Sequence, residues 1–180
     1  MSEVNLVLNP GRKNYMRFIN DSGELIIDKI SKYYSHNIED SKNIKVALCS
    51  SGMNALSSTV NVIMSRWGWS NDTCIIYGDE MYCDTPRQFK YHSKFYTGNG
   101  LRTYKVTVQN SENVKELFRR ECRNRRVLFI IEPCTNPNGN LFDFNIVKDL
   151  RNLCKQMVLV ADTTWTPDMQ VLDMGADAIA

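Results

Sequence analysis

Short runs rich in Val, Ile and Leu recur along this chain with helical patterns between several of them, and that alternation constrains the fold more than any other feature. The runs are Ile44–Leu48, Cys74–Tyr77, Tyr104–Val108, Val127–Ile131 and Met157–Ala161. Apolar runs this short, bounded by polar turn residues, fit strands buried on both faces. Between them, Leu56, Val60, Ile63, Met64 and Trp67 share one helical face, as do Val114, Leu117, Phe118 and Cys122, and then Ile146, Leu150, Leu153 and Met157. Ser111 and Asp143 stand where side-chain caps of the second and third helices belong, and Asp21 with Glu24 forms a capping-box-like start for a helix over Leu25–Tyr34. Parallel strands need crossovers, and crossover helices shield the sheet, so the expected class is α/β with a mostly parallel sheet. Ala176–Ala180 reads as one more strand beginning.

Composition excludes several functions. The 22 basic and 20 acidic side chains leave a net charge of +2 spread along the chain, which gives no electrostatic footprint for nucleic acid or a membrane surface. The basic cluster Arg119, Arg120, Arg123, Arg125 and Arg126 falls at the end of a helical pattern, where cations suit the carbonyl end of the dipole. No apolar run approaches the ~20 residues of a membrane span, and residues 1–9 carry no basic-then-apolar leader. A cytoplasmic protein is the expectation. The six cysteines lack a C-x-x-C pair and sit mostly in apolar runs, which reads as packed, reduced thiols. His36 and His92 stand alone, so no metal site is expected.

In a parallel α/β sheet, ligands collect beyond the carboxyl ends of the strands, so chemistry is sought in the loops that follow them. After the first run comes Cys49-Ser50-Ser51-Gly52-Met53 and then a helix. This is a phosphate cradle in outline: Gly52 lets the backbone approach an anion, the helix start offers free N–H groups, and serines add hydroxyl donors. A plain strand-to-helix connection has the same residues, and neither G-x-G-x-x-G nor G-x-x-x-x-G-K-[ST] is present. The fourth run leads into Glu132-Pro133-Cys134-Thr135-Asn136-Pro137, with a turn signal at Asn138-Gly139. The fifth leads into Asp162-Thr163-Thr164-Trp165. A carboxylate next to a buried strand needs a partner; Asp162 either caps the next element or binds something cationic, such as a protonated ring nitrogen. Tyr82, in the loop after the second run, offers a planar ring that could stack on a planar ligand or pack in the core.

In order and spacing, these elements resemble the pyridoxal-phosphate (PLP) enzymes of cysteine and methionine metabolism, the cystathionine gamma-synthase, gamma-lyase and beta-lyase type. Ser51-Gly52-Met53 is similar to the family's Ser-Gly-Met phosphate turn. Tyr82, Thr85, Arg87 and Phe89 fall on Tyr-Gly-Gly-Thr-x-Arg-x-Phe, whose tyrosine stacks over the pyridine ring and assists proton transfer. Glu132 and Thr135-Asn136-Pro137 fall on Glu-x-Pro-(Ser/Thr)-Asn-Pro, whose asparagine bonds the cofactor's phenolic oxygen. Asp162 and Thr164 fall on Asp-Asn-Thr-Phe, whose aspartate pairs with the ring nitrogen and whose threonine lies against the opposite ring face. Near the start, Tyr15-Met16-Arg17 with Asn20 is similar to Tyr-Ser-Arg-x-x-Asn, whose tyrosine and arginine reach the phosphate of the neighbouring subunit. Gly175-Ala176-Asp177 matches the Gly-Ala-Asp before the family's next strand.

The resemblance implies a fold-type-I, aspartate-aminotransferase-like large domain over residues 23–180 behind an N-terminal arm over 1–22. It also implies elimination or replacement at the beta or gamma carbon of a sulfur amino acid, by a C–S lyase or a replacement transferase of transsulfuration, with PLP as electron sink. Cys83 and Asp84 replace the two glycines after the tyrosine, Pro133-Cys134 reorders the residues before Thr135, and Thr163 and Trp165 replace Asn and Phe. The family's Ser-x-Thr-Lys, with its Schiff-base lysine, would follow Gly-Ala-Asp and is not in this sequence. The expectation is therefore a partial chain, without the family's C-terminal domain and inactive alone. Its expected partners are an amino-acid substrate if completed, and a second copy or a full-length homologue. The alternatives are a non-catalytic interaction partner of such a homologue, or an aminotransferase-like PLP enzyme.

Overall fold

Beyond residue 70 the apolar runs become strands of one all-parallel sheet. The computed structural model describes residues 21–35, 44–96 and 101–180, which fall into two units divided between Ser51 and Gly52. In the second unit the order along the chain is α2 (Gly52–Trp67), β1 (Thr73–Gly78), α3 (Asp84–Tyr96), β2 (Arg102–Val106), α4 (Ser111–Leu117), β3 (Arg126–Ile131), α5 (Val147–Asn152), β4 (Gln156–Ala161) and β5 (Ala178–Ile179). The strands lie side by side as β2-β1-β3-β4-β5. The first unit contributes α1 (Asp21–Ser35).

Alternation along each central strand sends side chains to opposite faces, so the sheet builds two cores. Cys74, Ile76, Val127, Phe129, Ile131, Leu159 and Ala161 meet Val114, Phe118, Ile146 and Leu150 from α4, α5 and their flanks. Ile75, Leu128, Ile130 and Val160 meet Leu56, Val60 and Met64 of α2 and Phe89 of α3. Both faces are covered, which is why β1, β3 and β4 read as continuous apolar runs rather than alternating ones. A fully buried side chain of this size contributes roughly 1.5–3 kcal/mol.

Several expectations are corrected. Ile44–Leu48 is not a strand: it pairs with no other segment among the described residues, and none of its residues is buried. Its apolar content signals β preference, and a strand exists only where a partner completes the ladder. The helix expected to run from Ile146 to Met157 ends at Asn152, with Met157 in β4, because the same apolar spacing spans a helix end, a turn and a strand start. Ser111 is the first residue of α4, not its cap; Asn110 accepts the N–H of Asn113 at 3.1 Å. Asp143 does cap a short 3-10 turn, accepting the N–H of Asn145. Asp21 lies within α1, which begins four residues before Leu25. Helix α3 was not anticipated; its polar sequence hides a face carried by Phe89.

The arginine cluster is held by specific partners. Arg119 pairs with Glu112 at 2.7 Å, Arg120 with Glu121 at 2.9 Å, Arg126 donates to the Trp67 carbonyl at 2.7 Å and Arg125 to the Asn71 carbonyl. All six cysteines are free thiols; Cys49 and Cys83 are exposed. His92 is half-buried and stacks on Trp69, with ring centroids 4.7 Å apart, while His36 lies outside the described residues.

Candidate functional site

Along the chain, β2 lies on one side of β1 and β3 on the other, so the connections leaving β1 and β3 diverge. That is the switch point of a parallel sheet, where a crevice opens beyond the carboxyl ends. The loops after β1, β3 and β4 carry Tyr82, Asn136 and Asp162 with Thr164, and all three leave the same end of adjacent strands.

The loop after β1 turns sharply. Gly78 ends the strand where a Cβ would meet Val108 Cγ1 at 3.2 Å and Met81 Cγ at 3.3 Å, so the close approach of this turn favours glycine. Met81 is buried and Tyr82 is 48% exposed, its ring open to a ligand rather than packed in the core. The carbonyl of Tyr82 accepts the N–H of Thr85 at 3.0 Å, which joins the loop to the first turn of α3.

The loop after β3 is a small hairpin. Phe142 N–H donates to the Pro133 carbonyl at 3.0 Å, Cys134 and Leu141 form an antiparallel bridge, and Thr135 N–H donates to the Asn140 carbonyl at 2.9 Å. The tip, Asn136 to Gly139, holds a cis Asn136–Pro137 peptide and a left-handed Gly139 at φ 69°. Glu80 accepts from three groups of this hairpin: Thr135 Oγ1 at 2.7 Å, Asn138 Nδ2 at 2.6 Å and Asn140 Nδ2 at 2.8 Å. The bond from Thr135, then those from Asn140 and Asn138, hold the Glu80 carboxyl below the usual carboxylate range.

Glu132 opens the hairpin and is 3% exposed. Its Oε1 accepts the Tyr82 N–H at 2.5 Å, while Oε2 is buried and meets no donor among the described residues. Burial pushes this carboxyl up from the ordinary value, the Tyr82 N–H opposes that, the Asp162 charge adds to it, and the Asn136 N–H opposes it. Asp162 follows β4, its N–H bonded to the Ile131 carbonyl at 2.8 Å. Its Oδ1 accepts both the N–H of Thr164, at 3.1 Å, and the Thr164 hydroxyl, at 2.6 Å. Thus Tyr82, Asn136, Asp162 and Thr164 are brought together, with Glu132 touching or facing three of them.

Met53 lies in the first turn of α2, where its sulfur approaches Thr85 Oγ1 at 3.9 Å. Gly52 starts that helix with open space where a Cβ would stand. Ser51 is exposed and ends the first unit. Tyr15 and Arg17, with Asn20, lie outside the described residues. From the sequence, Glu80, Asn140 and Glu132 carry no role of their own and Asn138 marks only a turn. The available signal was Asp79-Glu80 directly after a buried strand, where acids need partners.

The residues suit a cationic, planar, phosphorylated ring. Glu132 feels the charge of Asp162, and neither acid forms an ion pair with Lys or Arg among the described residues. A protonated pyridine nitrogen would supply a positive charge for Asp162, the Tyr82 ring a stacking face, and the N–H groups at the start of α2 an anion site. A cavity of about 680 Å³ lined by Arg119, Arg123 and Lys155 lies at the opposite, amino-terminal end of β3 and β4 and takes no part in this arrangement.

The family of Cys/Met metabolism PLP-dependent enzymes matches residues 8–180. The fold is shared with O-acetylhomoserine sulfhydrylase of Wolinella succinogenes, described as catalysing a novel mechanism of sulfur transfer in the methionine biosynthetic pathway. The TM-score is 0.53 at 22% identity over 71% of this chain, and this chain spans 33% of that one. Among curated proteins there is no match.

Proposed function

The chain belongs to the Cys/Met metabolism PLP-dependent enzyme family, and from that premise we propose that it forms the ring-binding part of a PLP site acting on a sulfur-containing amino acid, by elimination or replacement at the beta or gamma carbon. The observation that carries the reading is the convergence of Tyr82, Asn136 and the Asp162–Thr164 pair beyond β1, β3 and β4, around two acids that form no ion pair among the described residues. Bound PLP would supply an electron sink for the substrate's alpha carbanion.

Each residue has its own part in that site. Asp162 would hold a proton on the ring nitrogen, and Thr164 fixes the carboxylate placed to do so. Tyr82 would cover one ring face and Asn136 would donate to the ring's phenolic oxygen. The start of α2 at Gly52 and Met53 would hold the phosphate; by the family resemblance, Tyr15 and Arg17 would reach the phosphate of a second subunit. The family's lysine, placed by resemblance after Gly175-Ala176-Asp177, is not among these 180 residues. Release of sulfide or thiol, against transfer of an amino group, separates sulfur chemistry from transamination.

Titration of the chain with PLP, followed by tryptophan fluorescence, tests the reading directly. Saturable binding in the micromolar range is expected. A chain that takes up no PLP at millimolar concentration contradicts it.

A further inference from the structure

Two carboxylates cross between the loops that carry Tyr82 and Asn136, in opposite directions. Glu80, from the loop after β1, accepts three hydrogen bonds from the hairpin after β3. Glu132, from the base of that hairpin, accepts the backbone N–H of Tyr82 in the loop after β1. Neither loop is regular structure, and each owes part of its shape to an acid on the other.

We propose that Glu80 and Glu132 form a reciprocal clasp, and that they are positioning residues that set where Tyr82 and Asn136 stand before any ligand arrives. The role of these two acids rests on the cofactor reading above; the clasp itself does not.

The chemistry of the donors explains why both positions are acids. Glu80 Oε2 takes Thr135 Oγ1 and Asn140 Nδ2 together, and Oε1 takes Asn138 Nδ2. Only a carboxylate accepts at both oxygens; a glutamine would turn an amide N–H₂ toward one set of donors. Thr135 Oγ1, having given its proton to Glu80, accepts the Asn140 N–H at 3.0 Å, so the bond to Glu80 orients the hydroxyl that closes the hairpin. Asn136 sits inside that closure, between Thr135 and the Gly139 N–H that donates to the Thr135 carbonyl at 2.8 Å.

Glu132 works differently. Oε1 alone meets Tyr82, so a glutamine there keeps the contact. Once one cross-link is made, the other closes within a shorter loop and costs less entropy, so each strengthens the other.

Amide hydrogen exchange by NMR on the full chain, without PLP, reads the clasp. In Glu80→Ala, the amides of Thr135, Gly139 and Asn140 are expected to exchange at least about tenfold faster, since charge-assisted bonds of this kind are lost, and the Tyr82 amide should accelerate with them. In Glu132→Ala, Tyr82 and then Asn140 should accelerate, whereas Glu132→Gln should stay near wild type. Amides of Leu128 and Phe129 in β3 report whether the fold is intact. If they open too, Thr135→Val, which removes only the hydroxyl that Glu80 accepts from, reads the same coupling. A Tyr82 amide unmoved by Glu80→Ala, or by Thr135→Val where that variant is needed, overturns the clasp.

PLP titration of the same samples then tests the positioning role. About tenfold weaker binding is expected in both alanine variants, and unaltered affinity beside faster exchange overturns it. A wild-type chain that binds no PLP removes the cofactor reading and the positioning role with it, while the exchange comparison still decides the clasp.

Discussion

Asp162 and Glu132 stand one strand apart with opposite demands. Asp162 holds Thr164 through a single oxygen, and an asparagine could accept the same two bonds. Asp162→Asn should therefore leave stability within about 0.5 kcal/mol by thermal melting, yet weaken PLP binding about tenfold or more, because the anion opposite the ring nitrogen is gone. Equal affinity would sink the role given to Asp162. Glu132 is an acid whose folded-state pKa is raised above the ordinary 4.5, first by burial. The folded state then holds its proton more tightly than the unfolded one, so its contribution to stability is present at acid pH and is lost as pH rises from the unfolded value through the folded one. Glu132→Gln keeps the Tyr82 contact and removes that cost. The Tm of the variant should exceed wild type by a few degrees at pH 8, the shift that about 1 kcal/mol produces in a domain of this size, and converge with it near pH 4. A gap that widens toward acid would contradict the argument. Asp162 was legible from the sequence because a carboxylate after an apolar run needs a reason. The reason for Glu132 was not, since its partner is a backbone N–H fifty residues away.

Strands were easier to read than helices because burial on both faces writes itself into composition. Four of the five apolar runs became β1 to β4 within a residue or two at most ends. The exception, Ile44–Leu48, shows that an apolar run states a preference but not a partner. Helix α3 was illegible for the opposite reason: much of its surface is polar, and its largest buried side chain among the described residues is Phe89, packed against α2 and β1. The arrangement of the two cores was implied by strand alternation, although no residue pattern specified which helix covers which face. Phe129, at the centre of β3, stands edge-on to Phe118 at 5.6 Å and to Phe142 at 5.7 Å, tying the π-helical turn Phe118–Cys122, which follows α4, and the base of the Asn136 hairpin to the sheet. Phe129→Ala should cost about 3–5 kcal/mol by urea denaturation. Val62→Ala, on the exposed side of α2, should stay within about 0.5 kcal/mol. A small loss at Phe129 would mean that the core of β3 repacks and does not anchor the hairpin.

Across the whole of the second unit, order should fall from the centre of the sheet outward. β1, β3 and β4 run six residues each and share long ladders, whereas β5 pairs through two residues, Val160 opposite Ala178 and Ala161 opposite Ile179. A polar clip outside the ladder also holds β5. Arg151 donates to the Met157 carbonyl at 3.0 Å, to the Gly175 carbonyl at 2.8 Å and to Asp177 Oδ2 at 2.7 Å, and Asp177 Oδ2 also accepts the Leu159 N–H at 2.8 Å. One guanidinium thus joins α5, β4 and the Gly175-Ala176-Asp177 segment, the piece of sequence whose match to the family was visible and whose anchoring was not. Both side chains are about a third exposed, so solvent discounts their ion pair, but the bonds to two carbonyls remain. Regions held by few contacts open without the rest of the fold. In Arg151→Leu, the amides of Asp177 and Ala180, which donate to Leu159 and Ala161, should exchange about tenfold faster. Those of Leu128 and Phe129 should keep their wild-type rates. Unchanged protection at Asp177 and Ala180 would show that the two-residue ladder suffices. Loss throughout the sheet would show that the clip belongs to the core and that the edge does not open on its own.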